Sequence, residues 1–418
     1  FSERNFSSNR GGPMMKALSI DDRPDAPATA GAPLRVALFS GNYNYVMDGP
    51  VRALNRLVAH LEMRGHQALV FAPTTRTPAF KHSGELVSIP SIALPGSRSE
   101  YRLGLGISAS ARRRLDRFAP TIIHVAAPDW LGYSALNYAR KNGVPAVASF
   151  HTRFDTYPRY YGMAWLESHI TNYMRRFYGR CERIYAPSPS MVEELKRDRI
   201  GRDIGLWARG VDQSLFNPAR RDLAWRRGLG VQDGDILVAF VGRVVLEKGI
   251  DIFADAVKRA AAVNPNIRAL VVGDGPERRN FESLLPTGAF TGYLQGEDLA
   301  RAYASADIFF NPSVTETFGN VTLEAMASGL PSICAAASGS KSLVDHGETG
   351  LLVADARNAE NFAAAIVELA GDPERRVGMG AAARSSASVF DWDAILDGLI
   401  GEYQEIATAG KARPAALS

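Results

Sequence analysis

The sequence predicts two doubly wound α/β domains, each built on a parallel sheet, and three observations carry that prediction. Short apolar runs recur at 35–40, 68–72, 121–126, 146–150 and 183–186, and again at 236–241, 268–272, 307–310 and 331–335. They are continuously apolar and do not alternate, as strands buried on both faces should be. Helical patterns bounded by Pro, Gly or capping residues lie between them, and such alternation makes βαβ units. Finally, a junction near residues 212–218 leaves about five or six strands on each side. Ligands of such sheets bind outside the carboxyl ends of the strands, so two facing domains would form a cleft.

In chain order, residues 1–32 are rich in Ser, Asp, Pro, Ala and Gly and hold no apolar run. They read as a disordered leader rather than a signal peptide, with Met14 or Met15 as the natural start. The first domain spans 33–213, where Gly49 and Pro50 open a helix over 51–63. The second spans 214–392. Asp391-Trp392-Asp393 starts a last helix, 393–410, expected to pack back on the first domain before a tail at 411–418.

Composition narrows the class. Hydrophobic residues at 46% and charged residues at 22% suit a globular chain with a sizeable core, and exclude disorder or a fibre. Two cysteines, Cys181 and Cys334, supply neither a disulfide framework nor a four-cysteine zinc site, and fit a reducing, cytosolic compartment. The uncharged stretch 325–340 is 16 residues long and broken by Gly, Pro and Ser. A spanning helix needs ~20 apolar residues. Charge is uneven: residues 34–213 carry 25 Lys+Arg against 14 Asp+Glu, and residues 214–418 carry 19 against 26. A basic first half points to a polyanionic partner, nucleic acid or an anionic membrane.

Three clusters in the second domain follow strands. In FVGRVVLEKG, 240–249, a strand ends at Gly242, Arg243 and Lys248 follow, and Gly249 enters a helix. Fixed cations beside helix N–H groups suit a diphosphate. VVGDGP, 271–276, is a tight turn that at most lets backbone approach a ligand; it is not a dinucleotide fingerprint. In NPSVTETFGNVTLEAMASGLP, 311–331, Glu316 lies in a loop, Gly319 at a helix start, and Glu324 eight residues after Glu316. One uninterrupted helix would set those carboxylates ~80° apart. With Glu316 in the loop, both can face one site at two depths.

GRVVLEKG, VVGDGP and ETFGNVTLEAMASGLP, in that order, resemble the carboxyl-terminal half of the family-4 retaining glycosyltransferases with the GT-B fold. The resemblance covers about residues 34–408 and is strongest over 238–353. HTRFDTYPRYYG, 151–162, and ARGVDQSLFNP, 208–218, are similar to bacterial enzymes that glycosylate membrane lipids. These are the diacylglycerol glycosyltransferases, the sulfoquinovosyl-lipid synthases and the mannosyltransferases of phosphatidylinositol and related lipids.

The resemblance implies roles. Arg243 and Lys248 match the pair that grips the donor diphosphate, and Glu324 the carboxylate on the nucleotide ribose. Glu316 matches the carboxylate facing the donor sugar, with the backbone of Thr317, Phe318, Gly319 and Asn320 near its hydroxyls and phosphate. His151, at a strand's carboxyl end, matches a histidine near the reacting carbon. Gly49 stands in the family's glycine-rich turn, although Asp48-Gly49-Pro50 departs from the common Gly-Gly form. Gly292 and Tyr293 lie where a loop touches the nucleobase. The activity implied is retaining transfer of a hexose or hexuronosyl unit from a UDP-glucose or UDP-glucuronate type donor to a membrane lipid such as diacylglycerol. The alternative is GDP-mannose-dependent α-mannosyl transfer to a lipid or polysaccharide precursor.

The chemistry suits that inventory. A nucleoside diphosphate leaving group develops charge that Arg243, Lys248 and helix N-termini would stabilise with no metal or other cofactor. No DxD pair occupies a persuasive loop. Segment 153–180 holds eight aromatics and five Arg against two acids, which suits a membrane interface or, equally, a helix with buried aromatics and solvated arginines. ARRRLDR, 111–117, adds four Arg and tilts the reading towards an anionic membrane at the inner face of the plasma membrane. His66 and His124 read as structural, and His346 has no role assigned. A nucleotide-sugar epimerase would leave the Glu316–Glu324 element without purpose. A basic nucleic-acid binder would leave the whole second-domain constellation unexplained, and no nucleic-acid motif is present.

Overall fold

The computed structural model describes residues 32–94, 101–151 and 164–412. The expected leader up to residue 31, most of the HTRFDTYPRYYG motif and the tail from 413 lie outside them. The described residues form two compact units. One runs from the first strand to Pro187, resumes over Met191–Arg209 and is completed by the helix Trp392–Ala412; the other holds Ser188–Ser190 and Gly210–Asp391.

The first unit carries a seven-stranded parallel sheet of β1 (Arg35–Phe39), β2 (Gln67–Pro73), β3 (Glu85–Ile89), β6 (Ile122–Val125), β7 (Ala146–Ser149), β8 (Arg183–Ala186) and β9 (Ile204–Leu206). Its order is β3-β2-β1-β6-β7-β8-β9, and β4 (Ser91–Ala93) pairs antiparallel with β5 (Arg102–Gly104) beside it. Both sheet faces are buried. Val36 and Leu38 enter one core layer, Ala37 and Phe39 the other. The first layer includes Leu396, Leu399, Ile400, Tyr403 and Ala407 of the C-terminal helix, whose spacing makes one apolar stripe. Polar contacts pin the same helix: buried His60 Nε2 lies 2.7 Å from Asp397, Arg64 reaches Asp397 with two nitrogens, and Arg183 meets Glu402 at 2.9 Å.

In the second unit, six parallel strands are ordered β12-β11-β10-β13-β14-β15. They are β10 (Ile236–Val241), β11 (Ile267–Val272), β12 (Ala289–Gly292), β13 (Ile308–Asn311), β14 (Ser332–Ala335) and β15 (Gly350–Val353). In each sheet the order reverses once, between β1 and β6 and between β10 and β13, and these reversals are where doubly wound sheets bind ligands.

Candidate active site

The second unit gathers its candidate residues at the carboxyl ends of the strands flanking its reversal. β10 ends at Val241, and the chain turns through Gly242 and the exposed Arg243 into the short helix Leu246–Lys248. Gly249, left-handed at φ 70°, then caps the helix Ile250–Val263. β13 leads into the loop that holds Glu316. Lys248 Nζ and a Glu316 carboxylate oxygen form an ion pair across this point, with the two side chains 28% and 14% exposed. Two groups expected to serve the donor separately, one on diphosphate and one on sugar, are thus partners in the protein itself.

Gly319 begins the helix Asn320–Ala327 with φ 99°, a conformation in which a side chain is strained. Glu324, on that helix and half-buried, accepts a hydrogen bond from the Tyr303 hydroxyl at 3.0 Å. Asn320 Oδ1, at the helix start, is buried with no hydrogen-bond partner among the described residues. Thr317 is half-buried in the loop. The Phe318 side chain, in contrast, is 4% exposed and packs on Phe390 with ring centroids 6.1 Å apart, so only its backbone is available to a ligand.

The VVGDGP turn explains itself by a contact within the protein. A Cβ on Gly273 would fall 1.9 Å from the Gly242 carbonyl oxygen, and one on Gly275 would fall 2.2 Å from that of Val244. Gly242 N donates to Val272 O, Val244 N to Asp274 O, and Gly273 N to Gly292 O, so the turn laces three strand ends together. Its glycines let backbone approach backbone and thereby place the Arg243 loop. Gly292 closes β12, and Tyr293 beyond it is 54% exposed.

In the first unit, Asp48 caps the helix Gly49–Met63, accepting from Val51 N at 2.9 Å, with Asn42 Nδ2 on its other oxygen at 3.3 Å. The protein's own carboxylate therefore occupies the helix end at which the resemblance expects a glycine-rich turn. His151 follows β7. Its Nε2 is 2.8 Å from Ser149 Oγ, and its Nδ1 accepts from Arg209 Nη2 at 2.9 Å. Burial, the Arg209 charge and His124 hold the ring well below its usual basic range, so it is neutral at pH 7. Both nitrogens are committed within the protein, which takes proton transfer from His151 as the structure stands.

Sequence reasoning missed the supports of these groups. Tyr303 behind Glu324 and Arg209 behind His151 lie 21 and 58 residues away, which no local spacing encodes, and Ser149, two residues before His151, carries no motif of its own. Arg209 stood within the ARGVDQSLFNP motif, the one available signal.

Comparison with known proteins decides the family. Residues 235–372 match the model described as glycosyl transferases group 1, and residues 47–215 match glycosyltransferase family 4. A GDP-mannose-dependent alpha-mannosyltransferase of Mycolicibacterium smegmatis is 37% identical over 89% of this chain and 98% of its own length. The chain belongs to the family-4 glycosyltransferases. It is a hexosyltransferase of GT-B fold. The sulfoquinovosyl transferase SQD2 of Arabidopsis thaliana is 31% identical over 88% of this chain and 73% of its own length. Among solved structures, the sucrose-phosphate synthase of Thermosynechococcus elongatus aligns with a TM-score of 0.76 at 22% identity, covering 90% of this chain and all (100%) of that one, a likeness of fold. No helix among the described residues is long and apolar enough to cross a membrane.

Proposed function

We propose that this glycosyltransferase moves a hexosyl unit, with retention of configuration, from a nucleoside diphosphate sugar to a membrane lipid. The observation that supports the donor half is the Lys248–Glu316 pair at the strand reversal of the second unit. Lys248 and Arg243 supply positive charge to the departing diphosphate, Glu316 and the backbone around residues 317–320 address sugar hydroxyls, and Glu324 takes the ribose. The reading needs no metal: fixed cations take the place of a magnesium ion on the leaving group. Without a protein nucleophile, retention follows from same-face attack with the departing phosphate as base.

Two donor readings each have support among relatives. The alpha-mannosyltransferases of M. smegmatis and Corynebacterium glutamicum, at 37% and 34% identity, carry GDP-mannose in their names. A UDP-hexose donor fits the lipid-enzyme resemblance, which SQD2 and the alpha-monoglucosyldiacylglycerol synthase of Acholeplasma laidlawii, at 23% identity, share.

Lipid as acceptor is supported by an aromatic and basic surface on the first unit. Trp130 and Trp165 are 60% and 71% exposed, and Arg180 stacks over the exposed Tyr133 at 4.4 Å. Such groups settle at the headgroup level of an anionic bilayer. The arginines of 111–117 contribute less than their number suggests, because Arg112 pairs with Asp116 at 3.1 Å and Arg114 with Glu85 at 2.5 Å.

A thermal-shift screen of GDP, UDP and ADP tests the donor, since a ligand at 100 times its Kd stabilises by ~2.7 kcal/mol. One nucleotide diphosphate should stand out, and the matching sugar nucleotide should then label lipid. No shift with any of them contradicts the donor site.

A further inference from the structure

β7 ends in a chain of buried polar groups that the transfer chemistry leaves unexplained. Ser149 is fully buried between two imidazoles, its Oγ 2.8 Å from His124 Nε2 and 2.8 Å from His151 Nε2. His124 Nδ1 is 2.7 Å from the hydroxyl of Tyr403 on the C-terminal helix. At the other end, Arg209 gives Nη2 to His151 Nδ1 and Nη1 to the carbonyls of Trp207 and Ala208. Its guanidinium lies 4.5 Å over the Trp207 ring, and both imidazoles meet that ring at 5.8 and 5.9 Å.

The directions of these bonds follow from chemistry. A guanidinium has only donors, so His151 Nδ1 must accept. A neutral imidazole whose Nδ1 accepts carries its hydrogen on Nε2, and that hydrogen goes to Ser149 Oγ. A second ring proton would face the guanidinium donors and their charge. Whichever way the Ser149 hydroxyl turns, towards His124 or away, this assignment stands.

We infer that Arg209 and Ser149, backed by His124 and Tyr403, are positioning residues that hold His151 as a neutral imidazole protonated on Nε2. His151 then presents the transferred sugar with a fixed surface rather than a proton carrier. This rests on reading His151 as part of the transfer site.

Long-range proton–nitrogen NMR of the full chain with labelled histidine reports the tautomer directly, with His151 identified by the signals lost in His151→Gln. The expected wild-type pattern at pH 7 is the Nε2–H tautomer, retained in Arg209→Lys and mixed in Arg209→Met. An Nδ1–H pattern or an imidazolium in the wild type overturns the assignment, whatever the variants do. Ser149→Ala should lower kcat on the order of ten-fold by loosening His151, with nucleotide Kd unchanged; an unchanged kcat overturns the positioning role. Full activity in His151→Gln would instead remove the transfer-site reading and, with it, the role proposed here, leaving the measured tautomer intact.

Discussion

Glu316 and Lys248 are bound to one another before any donor arrives, so each substitution has two consequences. Removing the amine in Lys248→Ala leaves a carboxylate only 14% exposed without that partner and deprives the diphosphate of a cation. Lys248→Arg keeps both charges in reach, and its turnover should fall less than that of Lys248→Ala in a steady-state assay. Glu316→Gln keeps the shape and one carbonyl acceptor for the sugar but loses the charge of the pair; transfer should collapse while nucleotide affinity, measured by calorimetry, holds. Glu324→Ala should show the opposite pattern, weakening nucleotide binding by ~1.5–3 kcal/mol for a lost charge-assisted hydrogen bond. Tyr303→Phe, which deletes only the buttress of Glu324, should weaken it less. The two carboxylates and two cations were legible because each follows a strand in a spaced motif. Their mutual pairing was not, since Lys248 and Glu316 are 68 residues apart and meet only when β10 and β13 lie side by side.

Among elements, what the sequence reveals follows the position of each strand in its sheet. The nine apolar runs correspond to β1, β2, β6, β7, β8, β10, β11, β13 and β14, all of them flanked by strands on both sides. The strands outside those nine runs are β3, β9, β12 and β15, the four edges, together with the small β4–β5 pair; of these, β15, reading GLLV, is itself apolar and largely buried. An edge strand is covered on fewer sides, so it keeps polar and half-buried residues: β3 reads ELVSI and is only partly buried, and β12 reads AFTG. Continuous hydrophobicity therefore reports interior strands, and β3 and β12 show how an edge can escape it, whereas the apolar edge β15 does not follow the rule. Helix starts are more local and more legible. Asp48 ahead of Gly49-Pro50 is a capping carboxylate, and Asp48→Ala should cost ~0.5–2 kcal/mol in denaturant unfolding. Asp48→Asn, which keeps an acceptor, should lose little.

For the whole molecule, buried histidines set an acid limit. Burial and Arg209 push His124 from 6.5 down to about 3, and His151 is also lowered. Both bind protons more readily unfolded than folded. Their contribution is therefore complete above the unfolded value and is lost as pH falls from about 6.5 towards the folded values, at up to ~1.4 kcal/mol per pH unit for each. Thermal unfolding from pH 7 to pH 5 should show a falling midpoint, with a shallower slope in His124→Gln. At the membrane, replacing Trp130 and Trp165 by Ser should reduce flotation with anionic vesicles more than replacing Arg112 and Arg114, whose charges are already paired. On the proposal that Arg243 and Lys248 meet the leaving group, activity should also survive EDTA.

The most direct measurement is the transfer itself. Wild type and Glu316→Gln are incubated with radiolabelled GDP-mannose, UDP-glucose or UDP-glucuronate and mixed lipid vesicles, and the organic phase is counted. With wild type, label should enter lipid from one donor, and with Glu316→Gln none should. Label that stays in water as free sugar or on a soluble acceptor, or equal transfer by both proteins, would contradict it.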